Sequence, residues 1–123
     1  MKKFEFKIHG AIKGGKNHIN ITRTGHRYPN RKWAEWRDQV VREIREELKN
    51  KEKDMITTPC QMQVIYTPND AKRRDMPAMI DAIFHCLERA GLVKDDYLIQ
   101  RLRWYQMPKD VKNSGTSIEI EEI

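Results

Sequence analysis

Carboxylates and basic residues crowd into one stretch of this chain, residues 69–100 (NDAKRRDMPAMIDAIFHCLERAGLVKDDYLIQ). Lys72, Arg73 and Arg74 run directly into Asp75, an apolar-periodic segment follows, and Asp95 and Asp96 come just after it. Carboxylates spaced along a chain can converge as hard oxygen ligands for a divalent cation. Adjacent arginines and lysines supply the positive field that a polyanion needs. Together they point to metal-assisted phosphodiester chemistry on nucleic acid. Taken singly, each group also has an ordinary structural use. Asp75 stands where a helix N-cap belongs, and Asp95 and Asp96 lie between a helix and a strand, where turn aspartates are common.

The elements that must position these groups follow from apolar periodicity. Residues 4–8 alternate Phe4, Phe6 and Ile8 with Glu5 and Lys7, the pattern of a half-buried strand. Gly10, Gly14 and Gly15 then open a long loop, GAIKGGKNHINITRTGHRYPN. Long loops are commonly either functional or simply mobile surface segments, and length alone does not choose between the two. This one is basic and rich in amide and hydroxyl donors, so Lys13, Lys16, Arg23 and Arg27 are expected to contact nucleic acid. Asn30 is a good N-cap for a helix over residues 31–50, with Trp33, Trp36, Val40, Ile44 and Leu48 on one face. Aromatics at that spacing anchor a helix to a sheet more often than they stack on bases.

A solvated connector (KNKEKD) leads to a strand over residues 61–67, with Met62, Val64 and Tyr66 on one face, and Asn69-Asp70 marks a turn. The next helix starts near Asp75 and ends before Gly91, a residue type favoured just past a helix end. Its apolar stripe reads Met76, Ile80, Ile83, Phe84 and Leu87; Pro77 is tolerated in the first turn, where the amide has no intrahelical partner. Residues 98–107 and 117–122 read as two further strands. The order β-α-β-α-β-β argues for a single α+β domain over residues 1–123, with two helices packed on one face of a small mixed β-sheet.

Net charge is +6, and no acidic residue lies between Glu5 and Glu35, where seven lysines and arginines fall. That imbalance favours a polyanionic partner, and nucleic acid over membrane, because no apolar run approaches the ~20 residues of a bilayer span. No signal peptide is expected before the first strand, and no small-molecule cofactor motif is present. Cys60 and Cys86 have no metal-ligand spacing with the four histidines. They read as buried thiols in a reducing, cytoplasmic setting.

The order K/R-R-R-D, apolar helix, A-G-h-h-x-D-D and strand resembles the RusA family of phage-type Holliday junction resolvases. The matching residues are Arg73, Arg74 and Asp75, then Ala90, Gly91, Leu92, Val93, Asp95 and Asp96, with an upstream match at Trp36, Arg37 and Asp38. The resemblance implies a homodimeric endodeoxyribonuclease, often prophage-encoded, that resolves four-way junctions in recombination and repair by paired nicks. It implies Mg²⁺, with Mn²⁺ as a substitute, held by Asp75, Asp95 and Asp96. Lys72, Arg73 and Arg74 would then neutralise flanking phosphates, and no general-base histidine is called for. Three positions depart from the family pattern: Pro77 replaces an aspartate, Ala78 an asparagine and Asp81 a lysine. Asp81 follows Pro77 by one helical turn on the same flank, so the expected catalytic set is Asp75, Asp81 and Asp96. Two alternatives accompany this expectation: a weakened homologue that binds branched DNA without cutting it, and a general nucleic-acid-binding protein. A geometric condition also applies, since a helix over residues 76–90 is about 22 Å long and residues 92–95 reach back at most about 14 Å.

Overall fold

The computed structural model describes residues 2–12, 19–21, 23–29, 31–50 and 54–123. Its framework is a four-stranded sheet built from β1 (Lys3–Ile8), β4 (Cys60–Thr67), β5 (Ile99–Gln106) and β6 (Gly115–Glu122), in the spatial order β1-β6-β4-β5. β6 pairs antiparallel with β1 and with β4, whereas β4 and β5 run parallel. A parallel pair needs a crossover, and α2 (Met76–Ala90) supplies it. The α+β class, the mixed sheet and the two helices are as the periodicity implied.

Strict alternation explains the one-sided core. Cys60, Met62, Val64 and Tyr66 are buried, while the residues between them are only partly covered. The registers align Phe4, Ile120, Met62 and Leu102 in one rung across all four strands. Phe6, Ile118, Val64 and Trp104 form the next. Phe4, Ile120, Met62, Ile118 and Val64 are fully buried, each contributing roughly 1.5–3 kcal/mol, whereas Phe6 and Trp104 are partly covered and Leu102, on the edge strand, is exposed. α1 (Arg31–Asn50) closes this face with Val40, Val41 and Ile44, and Trp33 is also buried at 8% exposure. The Trp33 ring lies against that of His85 on α2, so Trp33 anchors helix to helix, whereas Trp36 packs against the core. The Asn30 cap lies outside the described residues.

Two features differ from the sequence expectation. The segment expected as one long loop contains a two-stranded ribbon, β2 (Ile19–Ile21) against β3 (Arg27–Pro29), closed by a turn in which Gly25 takes a positive φ of 84°. α2 is also rotated relative to its expected stripe. It buries Met79, Ala82, Ile83, Cys86, Leu87 and Ala90, leaving Met76 exposed and Ile80 and Phe84 half-covered. Three of the buried six are small, which lets the helix axis approach its neighbours, while Met76, Ile80 and Phe84 fall at the margin. Both cysteines are free and buried, and burial pushes the Cys86 thiol up to about 12.

α2 ends in a reversal that aims the following chain. Gly91 adopts φ 78°, its amide donates to the Glu88 carbonyl at 3.0 Å, and the Leu92 amide donates to the Leu87 carbonyl at 3.0 Å. These bonds satisfy carbonyls that a helix end otherwise leaves open. Leu92 and Val93 then insert into the core beside Ile56, whose amide donates to the Leu92 carbonyl at 2.8 Å. A Cβ at Gly91 would meet nothing within 4 Å, so Gly91→Ala should lose only the left-handed penalty, about 1–2 kcal/mol in urea denaturation, and Gly91→Asn less.

Candidate acidic site at the C-terminal end of α2

The Gly91 reversal returns the chain alongside the last turns of α2. Asp95 opens a short 3-10 turn (Asp96–Leu98), its carboxylate accepting the Tyr97 amide at 3.2 Å, and Leu98 anchors the turn in the core. The Asp96 amide donates to Glu88 Oε1 at 2.6 Å. One oxygen each from Glu88, Asp95 and Asp96 then lies within 4.8 Å of the others, all three residues being exposed. The Asp96 carboxyl is raised above its ordinary value by partial desolvation first, then by the charges of Glu88, Asp95 and, from further along α2, Asp81.

This donor set fits a hard divalent cation. All donors are carboxylate oxygens, the position is open enough for water to complete a coordination shell, and the mutual repulsion at Asp96 is what a cation would relieve. Glu88 was not among the residues expected from sequence. Its signal is electrostatic: a carboxylate in the last helical turn faces the negative end of the macrodipole, an unfavourable placement. It is also seven residues after Asp81, two turns along the same flank.

Of the expected acidic residues, Asp95 and Asp96 meet, and Asp81 lies within electrostatic reach of Asp96. Asp75 stands at the other end of α2, in the N-cap position with extended backbone, and its side chain makes no capping hydrogen bond. Pro77 contributes to this, because proline at the second helical position has no amide for a capping carboxylate to accept.

Among the expected nucleic-acid contacts, Lys72 and Arg73 are exposed. Arg74 is committed elsewhere: it forks onto Asp70 at 2.8 and 2.9 Å and donates to the Tyr66 hydroxyl at 3.1 Å. That fork, with the Lys72 amide, holds the Asp70 carboxyl below its ordinary value. Arg23 is exposed in the ribbon turn and Arg27 belongs to β3; Lys13 and Lys16 lie outside the described residues. His85 is on the exposed side of α2, its ring 5.5 Å from that of Trp33. Desolvation, then the cations of Arg37 and Arg89, lower its pKa, with Glu88 opposing them.

No protein-family model matches the chain, and no curated protein matches it. Among the described residues, no helix is long and apolar enough to cross a membrane.

The raised Asp96 pKa gives linkage a definite sign. Above the ordinary 3.8 and up to the raised value, the folded chain binds more protons than the unfolded one. Asp96 therefore costs stability as pH rises through that window, and the cost persists at neutral pH. Asp96→Asn should raise the melting temperature at pH 7 in EDTA by about 1–2 °C, the scale of one surface like-charge contact. Mg²⁺ should raise the wild-type midpoint and leave that of Asp96→Asn nearly unmoved in a thermal-shift titration.

Proposed function

We propose that this chain is a Mg²⁺-dependent, structure-selective endodeoxyribonuclease that nicks branched DNA, four-way junctions above all, and works as a homodimer in the cytoplasm. The observation that carries the reading is the acidic trio of Glu88, Asp95 and Asp96 at the end of the A-G-h-h-x-D-D segment. The excess of positive charge supports a polyanionic substrate. A two-fold dimer suits a near-symmetric four-way junction that needs two paired cuts. The buried, unpaired thiols of Cys60 and Cys86 agree with a reducing compartment.

In this reading Glu88, Asp95 and Asp96 hold the metal, and Asp81 adds negative field from two turns earlier on α2. When bound, Mg²⁺ supplies Lewis acidity: it polarises the phosphate and neutralises the charge that develops as water attacks. The residues of the chain have separable tasks. Asp95, tied to the Tyr97 amide, is held in place for binding. Glu88, tied to the Asp96 amide, sets the spacing between the helix and the turn. Lys72 and Arg73, both exposed at the opposite end of α2 from the trio, would contact backbone phosphates distant from the one at the metal.

A second reading is favoured by one observation, the placement of Asp75 at the opposite end of α2 from the trio. With Pro77 in the position where the family carries its second aspartate, the chain would bind junctions without cutting them.

The two readings separate on a denaturing gel, using a synthetic four-way junction and a matched linear duplex with Mg²⁺ or with EDTA. The nuclease reading expects paired, Mg²⁺-dependent nicks confined to the junction. It also expects Asp96→Asn to lower cleavage by about 10²-fold or more, the scale of losing a group that stabilises transition-state charge. Junction binding without nicks at any Mg²⁺ or Mn²⁺ concentration would establish the binder. Asp81→Asn reports on the variant motif: normal cleavage there would remove Asp81 from the site.

A further inference from the structure

A second charged feature flanks the C-terminal turns of α2, on the side where α1 packs. Asp38, Val41, Arg42 and Arg45 of α1 and Arg89 of α2 line an open cleft of about 490 Å³. Three guanidiniums face one carboxylate, and that carboxylate is already engaged. Arg37, only 12% exposed and stacked over Trp33 at 5.3 Å, holds Asp38 at 3.0 Å, whereas Arg89 stands 3.9 Å from it. The remaining bonds of the cleft arginines go to neutral groups. Arg42 donates to the Gln39 side chain at 2.8 Å, and Arg45 donates to the Arg89 carbonyl at 3.0 Å. Among the described residues, Arg42 and Arg45 therefore have no carboxylate partner.

The outer face of the sheet offers a contrast. Its hollow places Arg101 and Arg103 with Glu119 and Glu121, so the charges there cancel. Of the two, the helix cleft keeps an excess. Guanidiniums present donors in a planar fork that matches phosphate oxygens, and neighbouring ones repel until an anion lies between them. The cleft lies at the same end of α2 as the acidic trio. Arg89 follows Glu88 directly in sequence, and His85 feels the charges of both Arg89 and Glu88. A polyanion spanning the end of α2 would meet cations on one side and the carboxylates on the other.

We infer that Arg42, Arg45 and Arg89 form a phosphate-binding subsite for the nucleic-acid backbone, holding a phosphodiester next to the one presented to Glu88, Asp95 and Asp96. This inference rests on the proposed DNA substrate. It concerns binding, and so can be tested in EDTA, where no cutting occurs.

The experiment measures affinity for a fluorescent four-way junction by anisotropy across a salt series. Three paired variants are compared with wild type: Arg42→Gln/Arg89→Gln, Arg42→Lys/Arg89→Lys, and Arg101→Gln/Arg103→Gln on the far, outer face of the sheet, where the charges already cancel. Loss of two phosphate contacts should flatten the slope of log K against log salt by about two and weaken binding roughly tenfold or more near 0.1 M salt. The lysine pair should keep most of the slope, and the far-face pair should behave as wild type. On the unaltered protein, saturating junction DNA should protect Arg42 and Arg89 from phenylglyoxal, read by peptide mass spectrometry. If the arginine-to-glutamine pair matches the far-face pair, or if DNA leaves phenylglyoxal modification unchanged, the subsite is overturned. If wild type binds no DNA at all, the proposed function falls and the subsite with it.

Discussion

The parallel pairing of β4 with β5 is the constraint on which the layout depends. A parallel neighbour can be reached only by crossing back over the sheet, so α2 must run opposite to both strands. Its start then lies near Tyr66 and its end near Cys60, because Cys60 pairs with Ile99 and Tyr66 with Gln106. The charged groups flanking α2 are sorted between those two ends. Asp70, Arg74 and Asp75 belong to the first; Glu88, Asp95 and Asp96 belong to the second. The distance between Asp75 and the trio is thus a property of the fold, set by fifteen residues of helix.

The two ends of α2 are also treated differently in energetic terms. At the start, Arg74 and Asp70 satisfy one another through a two-pronged fork with the Tyr66 hydroxyl as a third contact. Such a fork orders the loop leading into the helix, and it removes Arg74 from the pool of free cations. At the far end, like charges are held together by backbone bonds: the Asp96 amide to Glu88 and the Tyr97 amide to Asp95. Paired opposite charges there would be a structural ion pair. Paired like charges, kept close by amides, leave a field that a cation would complete.

The framework was legible in sequence because its elements are long and strictly periodic. β4 alternates over eight residues and α1 keeps its apolar face over twenty. The β2–β3 ribbon was not legible: three-residue strands give no measurable period, and its turn lacks a two-residue asparagine-glycine signal. The orientation of α2 was misread because size was weighed above spacing. Ala82, Cys86 and Ala90 carry little hydrophobic weight, yet they lie on the buried side. Within the site, Asp95 and Asp96 were visible as a pair in a turn. Glu88 was not, since its role depends on how the chain folds back after Gly91. The arginine cleft is harder still to see from sequence, because it is assembled from two helices whose mutual rotation no single segment specifies.

That same dependence on rotation explains why Asp81 is the pivotal variant position. Where the resembling family carries a lysine, this chain places a carboxylate whose charge reaches Asp96. A lysine there would lower the repulsion within the trio; an aspartate raises it. The net field at the end of α2 is therefore more negative than the resembling pattern would make it, and a cation bound there would gain correspondingly more. Pro77 removes a carboxylate from the first turn, while Asp81 adds one a turn later, nearer the trio. The two departures together move acidic charge along α2 toward Asp96.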